Sequence, residues 1–118
     1  MRDFRKLEIW ELGMDLTCRI YQIANDLPET EKYGLRSQMT RAEVSIPSNI
    51  AEGTRGSKSE LIQFVKIAVG SCNELETQVR ICSKIELVSS IETGPLLNEI
   101  AKLRSKMINF IRHLKNHE

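Results

Sequence analysis

Three observations predict an all-α fold, specifically an antiparallel up-down-up-down four-helix bundle. Four segments carry apolar residues at alternating three- and four-residue spacing, short connections rich in proline, glycine and serine separate them, and no alternating strand pattern competes. At 118 residues the chain is close to the commonest domain size, so residues 1–118 are expected to form one bundle.

The first helix is predicted over 7–27, where Ile9, Leu12, Leu16, Ile20, Ile23 and Leu27 recur at spacings of 3, 4, 4, 3 and 4 and Pro28 ends the run. The second is predicted over 32–53, closed by Gly53 and Gly56 and kinked at Pro47. Ser57 and Glu60 form a capping-box pattern for the third helix, whose Leu61, Val65, Ala68, Cys72, Leu75, Val79 and Cys82 keep a strict 4-3 alternation. Thr93-Gly94-Pro95 supplies a cap and a first-turn proline for the fourth, with Leu96, Ile100, Leu103, Met107, Phe110 and Leu114 as its seam. A second apolar set, including Trp10, Met14, Tyr21, Phe64, Ile67, Leu97, Ile108 and Ile111, makes the apolar arcs broader than one seam needs. This surplus either widens the core or covers an interface between subunits.

The second helix holds the most informative segment, Ser45-Ile46-Pro47-Ser48-Asn49-Ile50-Ala51-Glu52-Gly53. A proline inside a helix removes one hydrogen bond and presses on the carbonyl four residues earlier, that of Glu43, at about 3 kcal/mol. Something local must offset that. Gln38, Arg41, Ser45, Asn49 and Glu52 fall on one polar stripe, beside an apolar stripe of Leu35, Met39, Ala42, Ile46 and Ile50. Arg41 and Glu52 lie about 16 Å apart along the helix and cannot pair. Antiparallel packing about Gly56 sets Arg41 opposite residues 71 and 72, with Glu74 and Glu76 within about a turn, so Arg41 is expected to be partly buried and paired with a carboxylate of the third helix or of a neighbouring subunit.

Little in the chain suggests catalysis. Cys18, Cys72 and Cys82 are odd in number, lack a Cys-x-x-Cys spacing and read as reduced core thiols. The only histidines, His113 and His117, stand in the last six residues, away from any candidate nucleophile. No Glu-x-x-His occurs, and Glu74 and Glu76 diverge on a helix, so no metal is expected. The stretch Gly53 to Ser59 follows a helix rather than a strand and reads as a turn with a cap, not a phosphate loop. The expectation is a non-enzyme without cofactors. The N-terminal residues Met1 to Lys6 lead into a charged amphipathic helix with neither a signal-peptide nor a membrane-spanning run, which predicts a cytoplasmic protein with no membrane partner.

Seventeen basic and sixteen acidic residues give a net charge of +1, so only local patches could attract nucleic acid. In an antiparallel bundle Arg2, Arg5, Lys6, Arg55, Lys58, Arg112 and Lys115 gather at one end, offset by Asp3, Glu8, Glu52, Glu60 and Glu118. Arg5, Lys6, Arg112 and Lys115 are the candidate RNA contacts, reaching phosphates only, since no aromatic platform is expected beside them. Repetition of a weak patch around an oligomer would strengthen it through multivalency.

The runs Glu31 to Gln38, Arg41-Ala42, Ser45 to Gly53, Ile67 to Ser71 and Glu74 to Glu76 resemble the bacterial four-helix-bundle family of 23S rRNA intervening-sequence proteins over nearly the whole chain. The chain departs from the family's usual pattern at Thr40, where a basic residue often stands, and at Glu43, where a small one is common. No biochemical activity is firmly assigned to that family. The resemblance implies rings of five subunits and similarity to the ring-shaped accessory proteins of diversity-generating retroelements. The function expected from it is a homopentameric scaffold associated with RNA or a nucleoprotein. The alternative is a structural oligomer or adaptor that binds only protein.

Overall fold

Each predicted seam meets a partner helix in the computed structural model, which describes residues 2–117. Helix α1 spans Glu8–Asn25, α2 Leu35–Gly53, α3 Lys58–Lys84 and α4 Ser90–Asn116, with 3₁₀ turns at Phe4–Lys6 and Glu29–Glu31. Consecutive helices pack side by side and α4 closes on α1, around one core shared by all four helices. Met39 near the start of α2 meets Cys82 near the end of α3, and Gly53 at the end of α2 meets Leu61 at the start of α3, so the two run antiparallel. The result is an all-α four-helix bundle measuring 48 × 23 × 19 Å.

The seams fill its centre. All seven residues of the α3 alternation are buried, as are Ile9, Leu16 and Ile20 of α1, Met39, Ile46 and Ile50 of α2, and Leu96, Ile100, Leu103 and Met107 of α4. Phe110 is only half-buried, and Ile111 enters the core beside Met107 and Leu114. Of the second apolar set, Trp10 and Leu97 pack against the core, whereas Met14, Tyr21, Ile67 and Ile108 remain exposed. Cys18 is exposed, contrary to its expected place in the core, because it follows Thr17 around α1 onto the solvent side; Cys72 and Cys82 are buried.

Three helix ends differ from expectation, each for a local reason. The backbone of Gly34, at φ −104° and ψ −113°, is not helical, so α2 starts at Leu35, whose N–H is accepted by the Glu31 carboxylate at 3.2 Å. Helix α4 starts at Ser90, one turn before Pro95, because the Thr93 N–H already donates to the Ser89 carbonyl and closes a helical turn. Pro95 therefore lies within the helix, beyond its first position. Helix α1 ends at Asn25, where Arg36 of α2 donates to the carbonyls of Ala24 and Leu27 at 3.2 and 3.0 Å, occupying acceptors that a helix end leaves open. The predicted cap of α3 forms in full: Ser57 accepts from the Glu60 N–H and the Glu60 carboxylate accepts from the Ser57 N–H. Its other end closes with Leu87 N–H on Cys82 O and Glu86 N–H on Ser83 O, a Schellman arrangement that puts Glu86 at φ 63°.

Candidate functional site

The polar stripe of α2 divides into an inner and an outer part. Asn49 Nδ2 donates to the carbonyl and hydroxyl of Ser45 at 2.7 and 2.8 Å, and the Ser45 hydroxyl meets the Ser71 hydroxyl of α3 at 2.9 Å. This chain of short side chains ties α2 to α3 in a half-buried setting, where small hydroxyls satisfy one another without desolvating a charge. The longer members point outward. Gln38, Arg41 and Glu52 are exposed, and Glu52 holds Arg55 at 3.0 Å. The expected burial and pairing of Arg41 are not found within the chain: Arg41 and Glu74 are both exposed, and no ion pair joins them. Nor does Glu76 turn toward Arg41: it faces α4, where Arg104 meets it at 2.6 Å, while Arg80 meets its other oxygen at 2.8 Å. Hydrogen bonds from Arg80 and then Arg104 hold the Glu76 carboxyl below the usual carboxylate range.

On its opposite flank α2 faces α1, and here the difficulty posed by Pro47 is answered. Pro47 lacks the N–H that would reach the Glu43 carbonyl, and the Thr17 hydroxyl of α1 donates to that carbonyl at 2.9 Å. One turn earlier on α1, Gly13 is buried against the same turn of α2. A Cβ there would stand 3.4 Å from Ile46 Cγ2 and 3.6 Å from Pro47 Cβ, ordinary van der Waals distances, so α1 packs against the proline turn with room for a methyl group. Gly13 and Thr17 are four residues apart and share one face of α1, a pairing that could have been seen as a non-apolar notch in the helix. Glu43 itself is fully buried, and neither carboxylate oxygen has a hydrogen-bond partner. Burial pushes its carboxyl up to about 8, so it is protonated at neutral pH.

The basic end assembles as the antiparallel topology requires. The Arg2 N–H donates to the Thr54 carbonyl at 3.3 Å, fastening the N-terminal segment to the end of α2. Lys58 at the start of α3 donates to the His117 carbonyl beyond the end of α4. Much of the charge is neutralised locally: Arg5 pairs with Asp3 at 2.9 Å, Arg55 with Glu52 at 3.0 Å and Lys106 with Glu8 at 3.0 Å. Lys6, Arg112 and Lys115 are exposed, and Arg112 donates to Asn109 at 3.1 Å. Glu118, counted among the offsetting acids, lies outside the described residues, as does Met1.

Aromatic rings do stand at this end, contrary to expectation. Phe4 packs 5.2 Å from Trp10 with the Arg5 guanidinium 5.7 Å from its centroid, and Arg2 lies 6.0 Å from the centroid of Phe110. Phe4 was overlooked because it precedes the first helix and joins no periodic set. The 3₁₀ turn capped by Asp3 folds it back onto α1.

Elsewhere, a cleft of about 220 Å³ between α1 and α4 has a floor of Leu12, Leu16 and Leu103 and carries Asp15, Lys102 and the pair Arg19 and Glu99 on its rim. Among the described residues no three His, Cys, Asp or Glu side chains converge as a metal-binding set. Burial raises the Cys72 thiol to about 12 and also raises that of Cys82, which keeps both protonated and unreactive. No helix among the described residues is long and apolar enough to cross a membrane.

A four-helix bundle with a hydrogen-bonded proline turn on its second helix and a mixed basic and aromatic end defines a class of small all-α proteins. Within that class the chain belongs to the 23S rRNA-intervening sequence protein family, whose model matches residues 5–109. A solved structure described as a protein of unknown function from the S23 ribosomal protein family of Bacteroides thetaiotaomicron VPI-5482 is similar in fold, with a TM-score of 0.82 at 21% identity. That likeness covers 87% of this chain and 97% of the other. No curated protein matches this chain.

Proposed function

We propose that this protein is a non-enzymatic scaffold that assembles with copies of itself, as a pentamer, and associates with RNA or a nucleoprotein through its basic end. The observation that carries the reading is the convergence of Arg2, Arg5 and Arg55 with Lys58 at the end where α4 terminates. The exposed Met14, Tyr21, Val44, Ile67 and Ile81 support assembly, being large apolar side chains left in solvent on the α1, α2 and α3 surfaces. They also support the second reading, a purely protein-binding oligomer or adaptor, because apolar exposure favours protein partners without regard to RNA.

Light scattering combined with anisotropy of a labelled single-stranded RNA separates the readings. The expected result is a mass near five chains and RNA affinity that weakens with salt, at a log-log slope of about −0.7 per phosphate contact. Reversal of both Arg112 and Lys115 to glutamate should reduce binding sharply without altering the mass, since both side chains are exposed. An oligomer with no RNA affinity at low salt would favour the protein-only reading, and a stable monomer at micromolar concentration would remove the scaffold.

A further inference from the structure

The groove at the basic end is not uniformly cationic, and its three arginines stand in different chemical situations. It has a volume of about 350 Å³, within the range of small-molecule sites, and is bordered by Arg2, Phe4, Arg5, Thr54 and Arg55. Asp3 holds Arg5 by two contacts, from Nε at 2.9 Å and from Nη2 at 3.4 Å, which neutralises the guanidinium and fixes its plane. The guanidinium carbon lies 5.7 Å from the Phe4 centroid, and Phe4 packs on Trp10 at a 60° tilt, so Trp10, Phe4 and Arg5 form a contiguous cluster reaching the groove. A neutralised, oriented guanidinium on an aromatic ring offers a flat face to a nucleobase. Arg55 makes a single contact with Glu52 on a largely exposed side chain and can turn toward an anion, and Arg2 borders the same groove.

We infer that this groove seats one unstacked nucleotide of a single-stranded RNA, its base against the Arg5 and Phe4 pair and its phosphate between Arg2 and Arg55. This rests on the RNA reading above and makes it specific: base stacking and phosphate contact are divided between different side chains. Stacking is tolerant of sequence, because every base has a π-face, so the site selects unpaired strand and not a particular base.

The division of roles is what the test reads. Trp10 is the only tryptophan, and its packing on Phe4 makes its emission a reporter of the groove. An unlabelled mixed-sequence RNA 12-mer should change that emission on binding, and AMP alone should not at the same nucleotide concentration. Phe4→Leu should weaken the 12-mer by about tenfold with an unchanged salt slope, as expected when a stacking contact of 1–3 kcal/mol is lost. Arg55→Gln, at a residue whose side chain is 74% exposed and therefore independent of folding, should lower the slope by about 0.7. If the wild type binds the 12-mer while Trp10 emission and both variants' affinities and slopes stay unchanged, RNA binds elsewhere and only this site is overturned. If the wild type binds no RNA, the RNA reading fails together with this site, and the protein-only reading is favoured. Saturation by AMP in place of the 12-mer would overturn the strand site in favour of a free-nucleotide pocket.

Discussion

The two flanks of α2 solve opposite problems. Toward α3, Asn49, Ser45 and Ser71 join in a chain of hydrogen bonds in which every partner is small, polar and close to solvent. Toward α1, Pro47 and Glu43 introduce one missing backbone donor and one buried carboxyl, and only the first is answered, by Thr17. The first flank is partly local, since Asn49 and Ser45 are four residues apart on one helix, although Ser71 comes from α3, 26 positions from Ser45. The second has no partner on its own helix and depends wholly on the Thr17 hydroxyl, 26 positions earlier on α1. An unusual residue in a helix thus says that compensation exists but not where it comes from.

Glu43→Met should produce the largest effect. The folded carboxyl, raised to about 8, keeps its proton while the unfolded one ionises near the ordinary 4.5. The wild type therefore loses stability as pH rises from about 4.5 through about 8, by up to about 1.4 kcal/mol per pH unit, and levels off above. The variant removes both orphaned oxygens and that slope, so urea melts should show it more stable than wild type at pH 8 and much closer to it at pH 5. Equal slopes for the two proteins would show that Glu43 has found a counter-charge.

Thr17→Val comes next. It keeps the shape of the side chain but leaves the Glu43 carbonyl without a donor, which should lower stability by about 1–3 kcal/mol at every pH. A neutral result would mean that water replaces the hydroxyl and that the α1 flank is less closed than its distances indicate.

Ser71→Ala tests the other flank. Asn49 still donates to Ser45, so only one contact is lost and the expected change is about 1 kcal/mol. Were this variant to be hurt more than Thr17→Val, the contrast between the flanks would be reversed.

The smallest effect is expected at Arg41. Exposed, with neither Glu74 nor Glu76 bonded to it, it should tolerate alanine within about 0.5 kcal/mol in the isolated chain. A much larger loss, seen only at concentrations where light scattering reports an oligomer, would place its partner on a neighbouring subunit.

Helical periodicity alone determined a good deal about this protein. The α3 alternation, the Ser57 and Glu60 cap, the gathering of the basic end and the hydroxyl and amide of Ser45 and Asn49 on one stripe all follow from 3.6 residues per turn and from chemistry within a few positions. Tertiary structure alone decided what lies between helices. Thr17 meets the Glu43 carbonyl, Glu76 turns to Arg104 rather than toward Arg41, Arg36 closes the end of α1, and Phe4 folds back onto Trp10. The physical reason is that a helical pattern specifies which residues share a face but not the rotation and axial offset of one helix against the next. Those are set by how the buried side chains of neighbouring helices interdigitate, and with them whether a side chain of α2 meets a hydroxyl, a core or solvent.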